Sequence, residues 1–392
     1  MFEWVIIGGG IQGTTVASYL LGSKKVRSDQ LLIIDPHDEP LMNWKNCTEK
    51  IAMPFLRSPF IHHIDIEPFS LQRYVRDRRS EDTAFYGPYK RPSLDVFNEH
   101  CDRVIHSNGM MESWHKGYVT KLSKEAVHWQ VEVNHSYHIQ GTNVILALGL
   151  NEQPRWPDWA SSLYEQAHSH VFHIFDGTLA TLHDVEPPVT VVGGGITAAH
   201  TALHLADIFP GNVTLLKRHP FKIHAFDSDP GWLGSKYMNG FKSTNDLGQR
   251  RQMIVGARNK GSITRELYLK LVRASRDNKL KIVDEDIAHT DFNYGSNDIS
   301  ISFKESTETF NTRTIILTTG FEQSLPGKAL LEPLIESQQL KCATCGYPIV
   351  DQSLKWSNNL YVAGALAELE IGPSARNISG ARKAAEAIVS SL

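Results

Sequence analysis

Apolar residues occur along the chain mainly in short runs that stop at glycines. Residues 5–7 (Val-Ile-Ile) lead directly into Gly8-Gly-Gly10, and residues 191–192 (Val-Val) lead into Gly193-Gly-Gly195. Small and apolar residues follow each glycine run, as at the start of a tightly packed helix. A short apolar run bounded by a glycine turn is typical of a buried parallel strand. The pattern therefore predicts two similar strand–turn–helix units.

The glycine spacing predicts a dinucleotide site in each unit. The first unit reads G-x-G-x-x-G at Gly8, Gly10 and Gly13, and the second reads G-x-G-x-x-A at Gly193, Gly195 and Ala198. The first glycine of this fingerprint makes the tight turn, the second lets backbone approach a pyrophosphate, and the third small residue packs the helix on the strand. The free N–H groups at the helix N-terminus then bind the phosphates.

The residues that end the next strand differ in charge between the two units. Residues 31–35 form a predicted buried strand that ends at Asp35, where a carboxylate can accept hydrogen bonds from ribose hydroxyls. The corresponding run, residues 213–217, ends at Lys217 and is followed by Arg218. Two cations at this place can neutralise a 2′-phosphate that a carboxylate would repel. The second site is therefore predicted to prefer NADPH to NADH.

Both units continue into further predicted strands. Residues 117–149 read as a three-strand meander that returns to the parallel sheet, and a second meander is predicted from residues 281–283, 299–303 and 314–320. The tail predicts one more strand and a helix that rejoin the first domain. The sequence thus predicts an α/β protein with two Rossmann-like dinucleotide-binding domains, the second inserted in the first. The predicted limits are 1–160 and 321–392 for the first domain and 161–320 for the second.

Composition narrows the function classes. The 392 residues carry 40 Lys and Arg against 43 Asp and Glu, a net charge of -3, which gives no bulk reason to bind nucleic acid or an anionic membrane. No apolar run approaches the roughly 18 residues of a membrane span, and residues 4–7 leave no room for a signal sequence. We expect a cytoplasmic protein, and four cysteines are too few for a disulfide scaffold.

With these features the sequence resembles the two-dinucleotide-binding-domain flavoproteins over nearly its whole length. The resemblance implies FAD in the N-terminal site and NAD(P)H in the inserted one. Residues 147–149 (Ala-Leu-Gly) and 318–321 (Thr-Thr-Gly-Phe) are similar to the linking elements of class B flavin monooxygenases. Within that class the sequence is most similar to the N-hydroxylating branch, the lysine and ornithine hydroxylases.

Local segments extend the resemblance to individual residues. Trp44 and the run Met53-Pro-Phe-Leu-Arg57 are similar to family segments whose Trp and Met lie near the flavin, and Arg57 stands where the family has a substrate-binding lysine. Residues 257–263 resemble a segment whose asparagine contacts substrate and nicotinamide, which implies that role for Asn259. Residues 363–378 resemble the C-terminal element that meets the flavin, which includes Gly364.

The resemblance implies an FAD-dependent, NADPH-consuming monooxygenase that hydroxylates a small amine or amino-acid-like substrate through a flavin hydroperoxide. Its substrates would be a small molecule and molecular oxygen, and no metal is expected. FAD carries the difficult chemistry, so no nucleophilic side chain is required, and the sequence does not identify catalytic residues. Two alternatives stay open: an NADPH-dependent flavin or disulfide reductase, and a flavin-bound sensor without turnover.

Several residues have a second interpretation that the sequence leaves open. Arg57 fits a loop arginine that binds a backbone carbonyl equally well, and Asn259 fits a cap of the helix predicted at residues 264–271. Cys342 and Cys345 form a C-x-x-C, which can be redox-active in flavoproteins. Their position, about 20 residues before the C-terminal element, favours two isolated thiols.

Overall fold

The computed structural model of the protein describes residues 1–78, 81–150 and 153–392. The strands are β1 (Phe2–Ile7), β2 (Leu31–Asp35), β3 (Phe85–Tyr86), β4 (Arg91–Pro92), β5 (Trp114–Lys116), β6 (Val119–Glu125), β7 (His128–Val133), β8 (Tyr137–Leu146), β9 (Val171–His173), β10 (Val189–Val192), β11 (Val213–Lys217), β12 (Lys222–Ile223), β13 (Ser262–Ile263), β14 (Lys281–Asp284), β15 (Ile287–Asn293), β16 (Asp298–Phe303), β17 (Thr309–Thr312), β18 (Thr314–Leu317), β19 (Lys355–Ser357) and β20 (Leu360–Val362).

The helices alternate with these strands in the order expected for an α/β protein. They are α1 (Ile11–Gly22), α2 (Met42–Lys50), α3 (Ser70–Asp77), α4 (Glu81–Ala84), α5 (Leu94–Ser107), α6 (Asp158–Ala167), α7 (Ile196–Ile208), α8 (Ser235–Ser243), α9 (Leu247–Ala257), α10 (Arg265–Arg276), α11 (Lys328–Gln338), α12 (Glu368–Ile371) and α13 (Ile378–Ser390).

The first fingerprint belongs to a sheet with the order β19-β20-β8-β1-β2-β5. Strand β1 pairs in parallel with β2 and β8, and residues 4–7 of β1 are buried, because helices cover both faces of such a sheet. Strands β6 and β7 form an antiparallel meander with β8. The tail strand β20 pairs in parallel with β8, and α13 packs on α1. The predicted return of the C-terminus to the first domain is confirmed.

The second fingerprint belongs to a separate sheet with the order β14-β11-β10-β18-β9, in which all the pairings are parallel. Its core is separate from that of the first sheet and contains the buried face of α7. The predicted α/β class with two Rossmann-like domains is confirmed. We keep the predicted domain limits as a proposal; residue 160 lies inside α6, which packs with β9 and β15 of the second unit.

The second meander differs from the one predicted. Residues 281–283 belong to β14, which pairs with β11 in the parallel sheet, and the antiparallel meander is formed by β15, β16 and β17. Strand β15 was not predicted because exposed polar residues such as His289 and Asp291 occupy most of it. In the first unit, β8 is both the last strand of the meander and a strand of the parallel sheet. In the second unit, β17 is the last strand of the meander and β18 belongs to the parallel sheet.

No helix of the described residues is long and apolar enough to cross a membrane. The cytoplasmic location stays a prediction.

Candidate functional site

The turn after β1 is built as the first fingerprint requires. Gly8 has a φ of +103°, and a side chain there would place a Cβ atom 2.6 Å from the carbonyl oxygen of Ala147. A Cβ atom on Gly13 would collide with the carbonyl oxygen of Gly8. Helix α1 can pack closely on the strand because Gly13 has no side chain. Gly10 is different, because a Cβ atom there would meet nothing within 4 Å. The open space beside Gly10, at the N-terminus of α1, fits a pyrophosphate.

Asp35 is held at this same turn. Its Oδ2 atom accepts a hydrogen bond from the backbone N–H of Gly9 at 2.6 Å, and its Oδ1 atom accepts one from the backbone N–H of His37 at 3.0 Å. The His37 ring lies 2.7 Å from the same oxygen. The carboxylate is thus fixed at the end of β2, the place predicted for a ribose contact.

The C-terminal element closes the first turn from the other side. Gln12 donates from Nε2 to the carbonyl oxygens of Ala375 at 3.1 Å and Asn377 at 3.3 Å. Gly364 has a φ of +65°, and a Cβ atom there would lie 2.9 Å from Cγ of Gln12. Within the described residues, the buried Oε1 of Gln12 and Oγ of Ser374 have no hydrogen-bond partner. Two such unpartnered atoms fit a bound polar cofactor, since buried polar groups are normally satisfied.

Trp44 and Met53 lie behind this region. Trp44 donates from Nε1 to Oδ1 of Asn98 at 3.1 Å and packs on Phe97. Met53 packs against the cores of both units. Their predicted proximity to the flavin stays a proposal.

The second turn repeats the backbone of the first. The N–H of Gly193 donates to the carbonyl oxygen of Leu216 at 2.9 Å, as that of Gly8 does to Ile34 at 2.8 Å. Gly193 has a φ of +152°, and Ala198 is fully buried. A Cβ atom on Gly195 would lie 3.4 Å from Cα of Gly261, so a second loop approaches this turn.

The two predicted phosphate-binding cations have different surroundings. Lys217 is 3% exposed, its ammonium forms an ion pair with Asp284 on β14, and it lies 4.5 Å from the centre of the Phe221 ring. Burial lowers the pKa of Lys217. Lys217 lines the adjacent cavity, but its charge is already paired with Asp284, so we propose Arg218 alone as the ligand of the 2′-phosphate. Arg218 is exposed and lines the adjacent cavity.

This cavity has a volume of about 650 Å³ and runs between the two units. Its lining includes residues 193–197 of the second turn and Arg376 of the C-terminal element. Asn377, next to Arg376, accepts the hydrogen bond from Gln12 of the first turn. The cavity therefore extends from the second turn toward the first.

Arg57 lies in the wall of this cavity with its donors engaged. Its Nη2 atom donates to the carbonyl oxygens of His224 and Phe226 and to Oγ of Ser262, at 2.8 to 2.9 Å. Its Nε atom donates to the carbonyl oxygen of Ala225, and its Nη1 atom bonds the carboxylate of Asp227. Of the two interpretations of Arg57, the structure supports the loop arginine, because most of its hydrogen-bonding capacity is used inside the protein.

Asn259 is part of the same wall and does not cap a helix. Its Nδ2 atom donates to the carbonyl oxygen of Phe226 at 3.0 Å, and its own carbonyl accepts from Oγ of Ser262. The cap of α10 is Thr264, whose side chain accepts from the N–H of Leu267. The capping interpretation of Asn259 is wrong, and a contact with substrate stays a proposal.

The sequence did not predict a cluster of arginines at the inner end of the cavity. Arg251, Arg258 and Arg376 all form ion pairs with Glu368, whose side chain is fully buried. Arg258 lies in the recognised segment 257–263, and Arg376 lies in the recognised C-terminal element 363–378. Their convergence on one carboxylate, over 100 residues away from Arg258, needed the fold.

Other candidate chemistry lies away from the cavity. The thiols of Cys342 and Cys345 are free, on a turn after α11, and burial and the neighbouring thiol raise the pKa of Cys342. Among the described residues no group of His, Cys, Asp or Glu side chains could hold a metal ion.

The chain is similar to known proteins in sequence and in fold. The pyridine nucleotide-disulphide oxidoreductase family matches residues 2–231. No curated protein matches the sequence significantly. An ornithine N-hydroxylase from Kutzneria sp. 744, solved with reduced FAD, NADP+ and L-ornithine, has a TM-score of 0.79 at 16% identity, over 100% of this chain and 98% of that one.

Two further solved structures share the fold. The cadaverine monooxygenase of the desferrioxamine pathway from Erwinia amylovora has a TM-score of 0.74 at 13% identity, over 99% of this chain and 94% of that one. The bacillithiol disulfide reductase from Staphylococcus aureus has a TM-score of 0.64 at 15% identity, over 100% and 97%. The predicted flavoprotein architecture, similar to that of N-hydroxylating enzymes, is confirmed.

Proposed function

The chain belongs to the pyridine nucleotide-disulphide oxidoreductase family, and we propose that it is an FAD- and NADPH-dependent monooxygenase that hydroxylates the nitrogen of a small amine. In this reaction one N–H of the amine becomes N–OH, and the second oxygen atom of O₂ leaves as water. NADPH supplies the two electrons, and one proton comes from solvent. The product is a hydroxylamine.

The observation that carries this proposal is the cavity between the two fingerprint turns. It extends from residues 193–197 to Arg376, whose neighbour Asn377 bonds Gln12 of the first turn. The second turn would hold a pyridine dinucleotide and the first turn FAD, on the two units whose residues line this cavity. A small substrate could enter the same space. A protein that binds a single cofactor would not need such a cavity between two units.

The residues of the first turn are the proposed FAD ligands. The open side of Gly10 and the N-terminus of α1 would bind the pyrophosphate, and Asp35 would accept from the ribose. The unpartnered Gln12 and Ser374 atoms, beside Gly364, would complete their hydrogen bonding with the cofactor. When bound, FAD would accept electrons from NADPH and activate oxygen. The protein's own part is to hold the substrate in place and to exclude water.

The residues of the second turn are the proposed NADPH ligands. The N-terminus of α7 behind Gly195 would bind the pyrophosphate, and Arg218 would bind the 2′-phosphate. We propose Asn259 for the cavity wall that meets substrate and nicotinamide. Arg57 lies in the same wall and holds residues 224–227 in position.

A disulfide reductase is the second candidate, since the family and one structural relative include that activity. Such an enzyme needs a reactive thiolate that the flavin can reach. The raised pKa of Cys342 favours its inert thiol form at neutral pH, and neither Cys342 nor Cys345 lines the cavity. These observations favour the monooxygenase.

The test is a product balance with the FAD-loaded protein, NADPH and air. A panel of primary amines of different charge is added, and hydroxylamine, hydrogen peroxide and NADPH consumption are measured together. We expect at least one amine to yield hydroxylamine and to lower the peroxide formed per NADPH. If every amine leaves the electrons in peroxide while a disulfide raises NADPH turnover, the reductase is the correct function.

A further inference from the structure

Three arginines converge on one buried carboxylate at the inner end of the cavity. Glu368 accepts from Arg376 at 2.9 Å and 3.2 Å, from Arg258 at 3.1 Å, and from Arg251. The side chain of Glu368 is fully buried, and the arginine side chains are only 16 to 17% exposed. One negative charge therefore faces three positive charges in a mostly buried place.

The surplus positive charge faces the cavity. Arg251, Arg258 and Arg376 line it, whereas Glu368 lies behind them. Four carboxylates also line the cavity, those of Asp227, Glu285, Asp286 and Glu322, against nine lysine and arginine side chains, and Asp227 is already paired with Arg57. Tyr347 adds no charge: its hydroxyl accepts from Arg376 at 2.9 Å, and its ring lies 4.3 Å from the Arg251 guanidinium.

The arginines repel one another and a neighbouring lysine. Burial lowers the pKa of Arg258 to about 10, and the charges of Arg376 and Arg251 act in the same direction. The pKa of Lys260 is lowered by burial and then by the same three arginines. Asp227 acts in the opposite direction, and Arg258 is still protonated at neutral pH, so a bound anion would be stabilised beside these positive charges.

The phosphates of NADPH have their own ligands elsewhere. In the proposed function, the N-terminus of α7 binds the pyrophosphate and Arg218 the 2′-phosphate, both on the second unit. Arg376 is different, because it belongs to the C-terminal element that bonds Gln12 beside the first turn. The arginine cluster is thus assembled from both units, where the substrate must lie.

We propose that the substrate is an amine of net negative charge, whose carboxylates bind Arg258 and Arg376 at the inner end of the cavity. This inference rests on the proposed function and names its substrate class. A bidentate carboxylate would use the unengaged edges of the guanidinium groups and supply the missing countercharge. Diamines and basic amino acids carry a net positive charge at neutral pH, which this cluster repels.

The test measures binding without turnover. Succinate, a dicarboxylate without an amine, is titrated calorimetrically into the FAD-loaded protein saturated with NADP+, and cadaverine is titrated in parallel. We expect succinate to bind and cadaverine not to bind. Saturating NADP+ occupies the coenzyme's phosphate sites, so the remaining succinate binding reports the arginine cluster. Loss of succinate binding under NADP+, or tighter binding of cadaverine, overturns the proposal.

Substitutions locate the binding. Arg376→Gln and Arg258→Gln should each weaken succinate binding about tenfold to hundredfold, the usual effect of a charge-assisted hydrogen bond. Arg376→Lys should restore part of the affinity. Arg276→Gln removes the same charge at an exposed position on α10 and should change nothing. Retained FAD shows that a variant is folded. The two glutamine substitutions lie on different units, so if one variant does not fold, the other still tests the proposal. Wild-type affinity in folded glutamine variants overturns the proposal.

This result is independent of hydroxylation. If succinate binds as expected but no amine is hydroxylated, the anion site stands and the monooxygenase function fails. If a diamine is hydroxylated efficiently and succinate does not bind, the function stands and the inferred substrate class is wrong.

Discussion

The two fingerprint turns have the same backbone, but the residues at the ends of the strands that follow them carry opposite charges. In both, the first glycine donates to the strand that follows, at 2.8 Å and 2.9 Å, and its positive φ lets the chain turn. Asp35, at the end of β2, bonds the first turn through Gly9. Lys217, at the corresponding end of β11, is paired with Asp284, and the next residue, Arg218, is exposed at the cavity.

The difference teaches that the turn and the strand end have separate tasks. The turn creates a place for a pyrophosphate in both units, independent of which dinucleotide binds. The residue at the strand end then selects the ribose, through a carboxylate for a hydroxyl or a cation for a 2′-phosphate. Changes in the turns should therefore abolish binding, whereas changes at the strand ends should alter selectivity.

The largest expected effect comes from Gly10→Ala in the first turn. Gly10 has a φ of -73° and free space around its Cβ position, so alanine costs the folded chain at most about 1 kcal/mol. The methyl group would instead occupy the space of the pyrophosphate, and we expect protein without FAD. Flavin absorbance of the purified protein, with its melting temperature, measures this.

A matched control for that variant is Gly256→Ala. Gly256 lies on an exposed part of α9, also with nothing within 4 Å of its Cβ position. The substitution should stabilise the helix by about 0.5–1 kcal/mol and leave FAD bound. A yellow Gly10→Ala protein with full flavin content would remove the FAD assignment from this turn.

The two units should also differ in their response to acid. Burial lowers the pKa of His63 to about 4 and of His100 to about 3 in the first unit, and of His200 to about 4 in the second. At pH values between the shifted pKa and the usual value near 6.5, each histidine is neutral in the folded protein and binds a proton on unfolding. Their full contribution to the free energy of unfolding is therefore present above about pH 6.5. It is lost as the pH falls, by about 1.4 kcal/mol per pH unit for each histidine.

Urea unfolding at neutral pH and near pH 5 measures this loss. Flavin fluorescence reports the first unit, where burial also lowers the pKa of His62 to about 4. This unit should be the more acid-sensitive, because in the second unit only His200 is lowered as far, although the pKa values of His173 and His204 are also lowered. His100→Asn, compared with wild type at both pH values, should flatten the pH dependence by about one proton. An unchanged slope would show that His100 is not held neutral in the folded state.

Arg218→Ala tests selectivity at the second strand end. Loss of a charge-assisted hydrogen bond to the 2′-phosphate costs about 2 kcal/mol, which is about thirtyfold in affinity. The KM for NADPH should rise by about that factor, to the extent that it follows dissociation, and the KM for NADH should change little. Equal ratios in wild type and variant would mean that Arg218 does not bind the 2′-phosphate.

The smallest effect is expected for Lys217→Met. The ammonium of Lys217 is paired with Asp284, whose side chain is 59% exposed and can be hydrated when the lysine is removed. A methionine of similar length fills the buried space, and because the remaining carboxylate of Asp284 is exposed to water, the large cost of leaving a buried charge unpaired is avoided. The NADPH-to-NADH preference should be that of wild type. A preference reduced as far as in Arg218→Ala would restore Lys217 as a phosphate ligand.

These cases show what could be predicted from the sequence. The turns, the strands before them and the position of Asp35 at the end of β2 were predicted correctly, because they depend on neighbours within about 30 residues. The position of Lys217 was not predictable in this way, because its partner Asp284 lies 67 residues further on, on a strand that the sequence pattern assigned to the meander.

The candidate site was the less predictable part. Arg57 was recognised as important, but its partners at residues 224–227 lie about 170 residues away and decide its role. The cluster of Arg251, Arg258 and Arg376 around Glu368 combines two distant segments of the chain. Only the packing of the two units brings these charges to one cavity, and local patterns carry no information about it.

The most direct test of the two-turn account is anaerobic reduction of the FAD-loaded wild-type protein by NADPH and by NADH, followed by flavin absorbance. The account predicts that NADPH reduces the flavin completely, with a half-saturating concentration at least about tenfold below that of NADH. Failure of either nucleotide to reduce the flavin, or reduction by both at the same concentration, would contradict it.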